Sequence, residues 1–175
     1  TVTLTVTDNG GATASDTAQV TVKEAATATP VFADQVQYLQ KLKAPTSSDA
    51  NSSDITSRFR DGNLSDNYLL QYKTDDNRVI AMRLNRDPLT TSRVVLRLYV
   101  SSISSTQTLR IYPYQSGGTS VNTGYYVNFS VSSTGWKEID VTSIAQRMNG
   151  YGWMKFRITT TSGSLSLGEG NFLVQ

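Results

Sequence analysis

"SRVVLRLYV", residues 92–100, decides how this chain folds. Successive side chains of an extended strand point to opposite faces. Leu96, Leu98 and Val100 therefore share one face, and Arg97 and Tyr99 share the other. Further along, "TLRIYPY" (108–114) repeats the pattern, with Leu109 and Ile111 facing inward and Arg110, Tyr112 and Tyr114 outward. A period of two sustained this long belongs to half-buried strands.

The same signal recurs on both sides: "YLLQYK" (68–73), "RVIAMRL" (78–84), "YYVNFSV" (125–131), "WKEIDV" (136–141), "WMKFRITTT" (153–161) and "SLSLG" (164–168). Gly, Pro, Ser and Asn clusters separate nearly all of these runs. Short strands with that punctuation predict an all-β, antiparallel sandwich or jelly roll. One helical segment interrupts them. "DVTSIAQRMNG" (140–150) offers Asp140 or Thr142 as N-cap, Ile144 and Met148 on one face, and Gly150 as the stop. Two stretches are less decided. "FADQVQYLQKLKA" (32–44) fits a helix through Val36, Leu39 and Leu42, or a strand through Val36, Tyr38 and Leu42. "PTSSDANSSDITSRFRDGNLSDN" (45–67) is Ser/Asp/Asn-rich and reads as loop.

At the N-terminal side, "TVTLTVTDNGGATASDTAQVTV" contains two alternating runs around Asp8-Asn9-Gly10-Gly11, a hairpin signal. It resembles the last two strands of the PKD domain, an Ig-like sandwich of microbial surface proteins and secreted hydrolases. The resemblance covers residues 1–23 and implies a partial domain; Val2, Leu4, Val6, Ala18, Val20 and Val22 would form its apolar face. An isolated hairpin is marginal in water. The expectation is that it packs on the rest of the chain or pairs with the same segment of a neighbour. Residues 24–30, "EAATATP", have linker composition. Residues 31–175 form the second unit. Its blocks "NYLLQYKTDDNRVIAMRLN", "SRVVLRLYVSSISSTQTLRIYPY" and "GWKEIDVTSIAQRMNG" resemble, in that order, the DNRLRE-type modules. These are jelly-roll domains similar to carbohydrate-binding modules, found in microbial surface proteins.

Composition narrows the function. Of 175 residues, 16 are basic and 14 acidic, with no Lys/Arg run to grip nucleic acid. No apolar run approaches the ~18 residues of a membrane span. The chain has no Cys, so no disulfide staples it, and no His, which removes the commonest zinc ligand and the base of a catalytic triad. Glu138 and Asp140 fall on one strand face as a solvent-side stripe, and nothing marks out an acid and a nucleophile for glycoside hydrolysis. An enzyme is not expected.

Binding is the better expectation. If the strands at 92–100 and 108–114 are neighbours, Arg97, Tyr99, Arg110, Tyr112 and Tyr114 make one outward patch. Arg supplies planar donors and Tyr a stacking face, a combination suited to polar glycans or uronates; ordinary cross-strand pairing is the bland alternative. Trp136 and Trp153 are read as core or rim packing. Asp61, Asn63 and Asp66 read either as caps on local amides or as oxygen ligands of a structural calcium, without an EF-hand's closing glutamate. The expected function is a non-catalytic module of a bacterial or archaeal cell surface or secreted protein. It would bind polysaccharide or matrix glycan for adhesion or substrate targeting. The alternative is a structural brick of a surface layer, sheath or fibre, self-associating through the N-terminal hairpin.

Overall fold

The computed structural model describes residues 2–19, 29–33, 35–41, 51–72, 77–84, 93–114, 124–147 and 152–174. In chain order the strands begin with β1 (Val2–Thr7), β2 (Thr13–Ala18), β3 (Thr29–Val31), β4 (Gln35–Lys41) and β5 (Asn51–Asp54). They continue with β6 (Tyr68–Leu70), β7 (Asn77–Arg83), β8 (Val94–Ile103) and β9 (Gln107–Tyr114). The last four are β10 (Val127–Val131), β11 (Gly135–Asp140), β12 (Trp153–Ile158) and β13 (Leu165–Val174).

All pairings among the described residues are antiparallel. One sheet has the order β10-β9-β12-β7-β4-β5, the other β11-β8-β13-β3, with β6 also on β13. From β7 onward the chain passes repeatedly from one sheet to the other. The result is the all-β, antiparallel sandwich that the alternation predicts. Ile80, Met82, Leu109, Ile111, Phe156 and Ile158 of the first sheet share one buried cluster with Leu96, Leu98, Val100, Leu167 and Phe172 of the second. Each such side chain contributes about 1.5–3 kcal/mol when removed from water.

Of the undecided stretch 32–44, Leu42 lies outside the described residues and Gln35–Lys41 resolve as strand, because β4 pairs with β7 along its length. Its even residues Val36 and Tyr38 turn to the core, while Leu39 joins Val79, Ala81 and Trp153 in a second buried cluster on the sheet's opposite face. The reading of 45–67 as plain loop is corrected. It contains edge strand β5 and a turn of 3-10 helix, Arg58–Arg60, whose Phe59 is fully buried in the main core. A polar sequence around one aromatic hides such a plug from any periodicity argument. The boundary at residue 31 also moves. Thr29 and Pro30, assigned to the linker, lie in β3, where Pro30 pairs with Leu173. Proline fits there because an edge strand leaves one row of amides unpaired. Residues 24–28 lie outside the described residues.

The helix shrinks to one turn, Thr142–Ala145, burying Ile144 and Ala145. Its formal N-cap is Val141, which corrects both sequence choices. Asp140 instead accepts from the Thr142 N–H at 3.0 Å and the Thr142 hydroxyl at 2.7 Å. Those bonds, and Arg93 beside it, hold its carboxyl below the usual range. Met148 and Gly150 lie outside the described residues.

The hairpin forms, with Asp8 Oδ1 accepting from the Gly10 and Ala12 amides and Gly11 taking a left-handed φ of 83°. Its register sets Val2 opposite Ala18, Leu4 opposite Asp16 and Val6 opposite Ala14. The second strand thus begins earlier than its apolar alternation suggested; Val20 and Val22 lie outside the described residues. Packing on the sandwich is not observed. Residues 2–19 are exposed throughout, with Leu4 66% exposed, and among the described residues β1 and β2 pair only with each other.

Candidate functional site

The predicted five-residue patch does not assemble, because β8 and β9 belong to opposite sheets. A connection that crosses the sandwich separates strands that sequence order makes look adjacent. Arg97 and Tyr99 leave the outer face of the five-stranded sheet; Arg110 and Tyr112 leave the outer face of the six-stranded one. Tyr114 pairs with Trp153 at the end of β9, and its side chain lies outside the described residues.

On the five-stranded sheet, Arg97 and Tyr99 meet partners that sequence reading passed over. Across β11 and β8, Glu138 lies opposite Arg97 and Trp136 opposite Tyr99. On the other side of β8, Asn171 lies opposite Arg97 and Glu169 opposite Tyr99. Two cross-strand rows result, one of Trp136, Tyr99 and Glu169, the other of Glu138, Arg97 and Asn171. The Arg97 guanidinium carbon lies 4.7 Å from the Trp136 ring centroid, and the Tyr99 ring meets the indole edge-on at 5.5 Å. Trp153 packs in the small buried cluster, as read, but Trp136 is 37% exposed and offers indole surface to solvent.

The opposite end of these rows is dry. Glu169 and Asn171 are 7% and 6% exposed. Asn171 Oδ1 is buried with no hydrogen-bond partner. Arg97 Nε lies 3.1 Å from Glu138 Oε1, an ion pair without hydrogen-bond alignment. Burial pushes the Glu169 carboxyl up, Asp61 pushes it further and Arg97 opposes both.

The chain reaches this arrangement through a defect in β13. Its register against β8 slips around Leu167 and Gly168, so the inward set Leu165 and Leu167 gives way to Phe172 and Val174. A bulge of this kind re-aims side chains. It lies where β13's other edge changes partner, β6 pairing with residues 165–167 and β3 with residues 172–174. Between them the 58–67 segment closes in. A Cβ on Gly168 would stand 2.7 Å from the Leu64 carbonyl, and one on Gly170 2.9 Å from Phe59 Cε1. Glu169 and Asn171 were missed because "GEGN" has turn composition. The usable signal was the apolar alternation resuming out of phase beyond it.

The proposed calcium residues are arranged as a turn. Asp61 Oδ1 accepts from the Asn63 amide at 2.8 Å, and Asn63 Oδ1 from the Ser65 amide at 3.1 Å. Asn63 Nδ2 donates to Asp66 Oδ1 at 2.9 Å. That donor points at the carboxylate a cation would need, so the three side chains as placed do not fit a calcium cage. Among the described residues no group of three or more His, Cys, Asp or Glu gathers as a metal site.

No protein-family model and no curated protein matches this chain.

Proposed function

We propose that residues 29–174 are a non-catalytic extracellular or cell-surface module that binds a glycan or matrix polymer on the outer face of the five-stranded sheet. The observation that carries this reading is Asn171 Oδ1, buried and unpartnered opposite Arg97, at the dry end of the row next to the one that carries Tyr99 and opens at Trp136. An unsatisfied buried acceptor costs about 1–3 kcal/mol, and a sugar hydroxyl is the kind of donor that would offset it. The indole surface over Arg97 and Tyr99 suits the CH face of a pyranose, while Arg97 supplies planar donors. The two likenesses noted in the sequence, to PKD and DNRLRE-type modules, agree with a surface location. The test is affinity electrophoresis against neutral polysaccharides, which leaves net charge out of the readout. Trp136→Ala and Asn171→Ala should each weaken binding about tenfold, the equivalent of ~1.4 kcal/mol, and Tyr112→Ala should not. Retention by both Trp136→Ala and Asn171→Ala would overturn the assignment.

A second reading, a structural brick of a surface layer or fibre, is favoured by one observation. Among the described residues the hairpin's strands keep unpaired outer edges, and Val2, Leu4 and Val6 are 59–66% exposed. Such edges invite strand addition. Concentration-dependent light scattering abolished by deleting residues 1–28 supports it; a monomer at all concentrations refutes it.

A further inference from the structure

The other sheet carries a different chemistry on its outer face. Arg110 on β9 lies directly opposite Arg157 on β12, and Asn128 on β10 lies opposite Arg110 on its far side. All three alternate with inward residues, Leu109, Ile111, Phe156, Ile158, Val127 and Phe129, that pack in or against the core, so they project outward. Like charges placed directly across a strand pair destabilise it. Neither arginine has a carboxylate partner among the described residues, unlike Arg93, paired with Asp140, and Arg97, paired with Glu138.

Both guanidinium groups are held by rings instead. Arg110 Cζ lies 4.0 Å from the Tyr126 centroid, and Arg110 Nε donates to Asn128 Oδ1 at 3.1 Å. Arg157 Cζ lies 5.6 Å from the Tyr112 centroid and 6.0 Å from that of Tyr72. Arg157 Nε is buried with no hydrogen-bond partner. Ring stacking orients a guanidinium without consuming its in-plane N–H donors. Among the described residues the pair therefore combines positive charge without a carboxylate partner, guanidinium groups set beside rings and an unsatisfied donor.

We propose that Arg110 and Arg157 form an oxyanion site, taking a carboxylate, sulfate or phosphate group. A bound oxyanion would cancel the cross-strand repulsion, accept from Arg157 Nε and match the planar fork of donors. The site lies on the opposite sheet from the aromatic face described above and does not depend on it. The group reaches it either as a free ion or carried on a polymer.

The experiment follows the arginine Nε–H resonances of the whole chain by NMR at constant ionic strength, titrating sodium sulfate, dextran sulfate or neutral dextran. Sulfate and dextran sulfate should shift Arg110 and Arg157 and leave Arg97 in place. Tighter binding per sulfate group by dextran sulfate identifies a polymer-borne ligand; equal binding identifies the free ion. Arg157→Gln and Arg110→Gln should each weaken dextran sulfate binding about tenfold or more, and Arg157→Lys, which keeps the charge but loses the fork, should also weaken it. Arg93→Gln, which removes a cation paired with Asp140, should bind normally. The proposal is overturned if neither resonance moves in the wild-type chain, if neutral dextran moves them equally, or if Arg157→Gln binds as wild type.

Discussion

Gly170→Ala, made with and without Phe59→Ala, measures how closely the 58–60 turn is seated against β13. A Cβ at Gly170 would lie 2.8 Å from Leu98 Cδ2, 2.9 Å from Phe59 Cε1 and 3.1 Å from the Arg97 carbonyl oxygen. Gly170 is not among the glycines with positive φ, so the penalty is steric. Overpacking of this kind costs about 1–3 kcal/mol. Phe59 is fully buried and meets Tyr68 edge-on at 5.7 Å. Truncating it should cost about 3–5 kcal/mol, lowering Tm by roughly 6–20 °C at 2–4 °C per kcal/mol for a chain this long. In the double variant the new methyl enters space the ring has left. The Leu98 and Arg97 contacts persist, so the cost of Gly170→Ala should fall by about 1 kcal/mol, within the usual range for touching residues. Urea unfolding of all four proteins, compared at a common m-value, gives the coupling. Additivity within about 0.3–0.5 kcal/mol, or a stabilising Gly170→Ala, would show that the ring does not lie against β13.

Other expectations follow from separate parts of the molecule. Gln107, 1% exposed, donates to the Ser105 carbonyl at 3.1 Å and the Ser162 carbonyl at 3.3 Å, and accepts from the Thr160 hydroxyl. Gln107→Leu should cost about 1–3 kcal/mol, read as a Tm lower by roughly 2–12 °C; an unchanged Tm would refute that knot. Glu169, with its carboxyl raised by burial, holds its proton in the native state to higher pH than when unfolded. Stability should therefore fall as pH rises above the ordinary value of 4.5, until native Glu169 has ionised, and Glu169→Gln should remove that slope. Asp140 has the opposite sign: its carboxyl is lowered by Thr142, so its contribution is present above pH 3.8 and is lost as pH drops through the lower native value. A wild-type pH profile lacking the decline above 4.5 would contradict the placement of Glu169. Finally, deleting residues 1–28 should leave the Tm of the sandwich within about 1 °C, because the described hairpin buries nothing against it.

Much of this fold was legible because alternation in "VVLRLYV" and "TLRIYPY" fixes which side chains face the core wherever the strands end up. What alternation does not encode is which sheet a strand joins. Arg97 with Tyr99 and Arg110 with Tyr112 were each assigned the correct face, yet the two pairs lie on opposite sides of the molecule. Long-range pairing escaped for the same reason. β3 is a proline-containing triplet with no pattern of its own, defined only by its contact with the end of β13. Phe59 is a single aromatic in polar surroundings, and its ring lies against a glycine, Gly170, more than a hundred residues later. Within the aromatic site, Trp136 reads from sequence as core or rim packing, whereas Glu169 and Asn171 are concealed by a phase change in the strand that carries them.

β13 is paired on both edges, yet it follows each of its partners, β3, β6 and β8, in sequence. During synthesis β8 and β11 can meet soon after they emerge, but the other edge of β8 stays open until residues 165–174 arrive. At about 5–20 residues per second, that wait lasts seconds. An exposed apolar strand edge is then available to any neighbouring nascent chain. Closing the sheet also joins segments from far-apart regions of the chain, which raises the entropic barrier and slows folding. The bulge and its glycines thus sit in the segment whose arrival completes the sheet. Substitutions there should lower the yield of folded protein before they alter the stability of the chains that succeed.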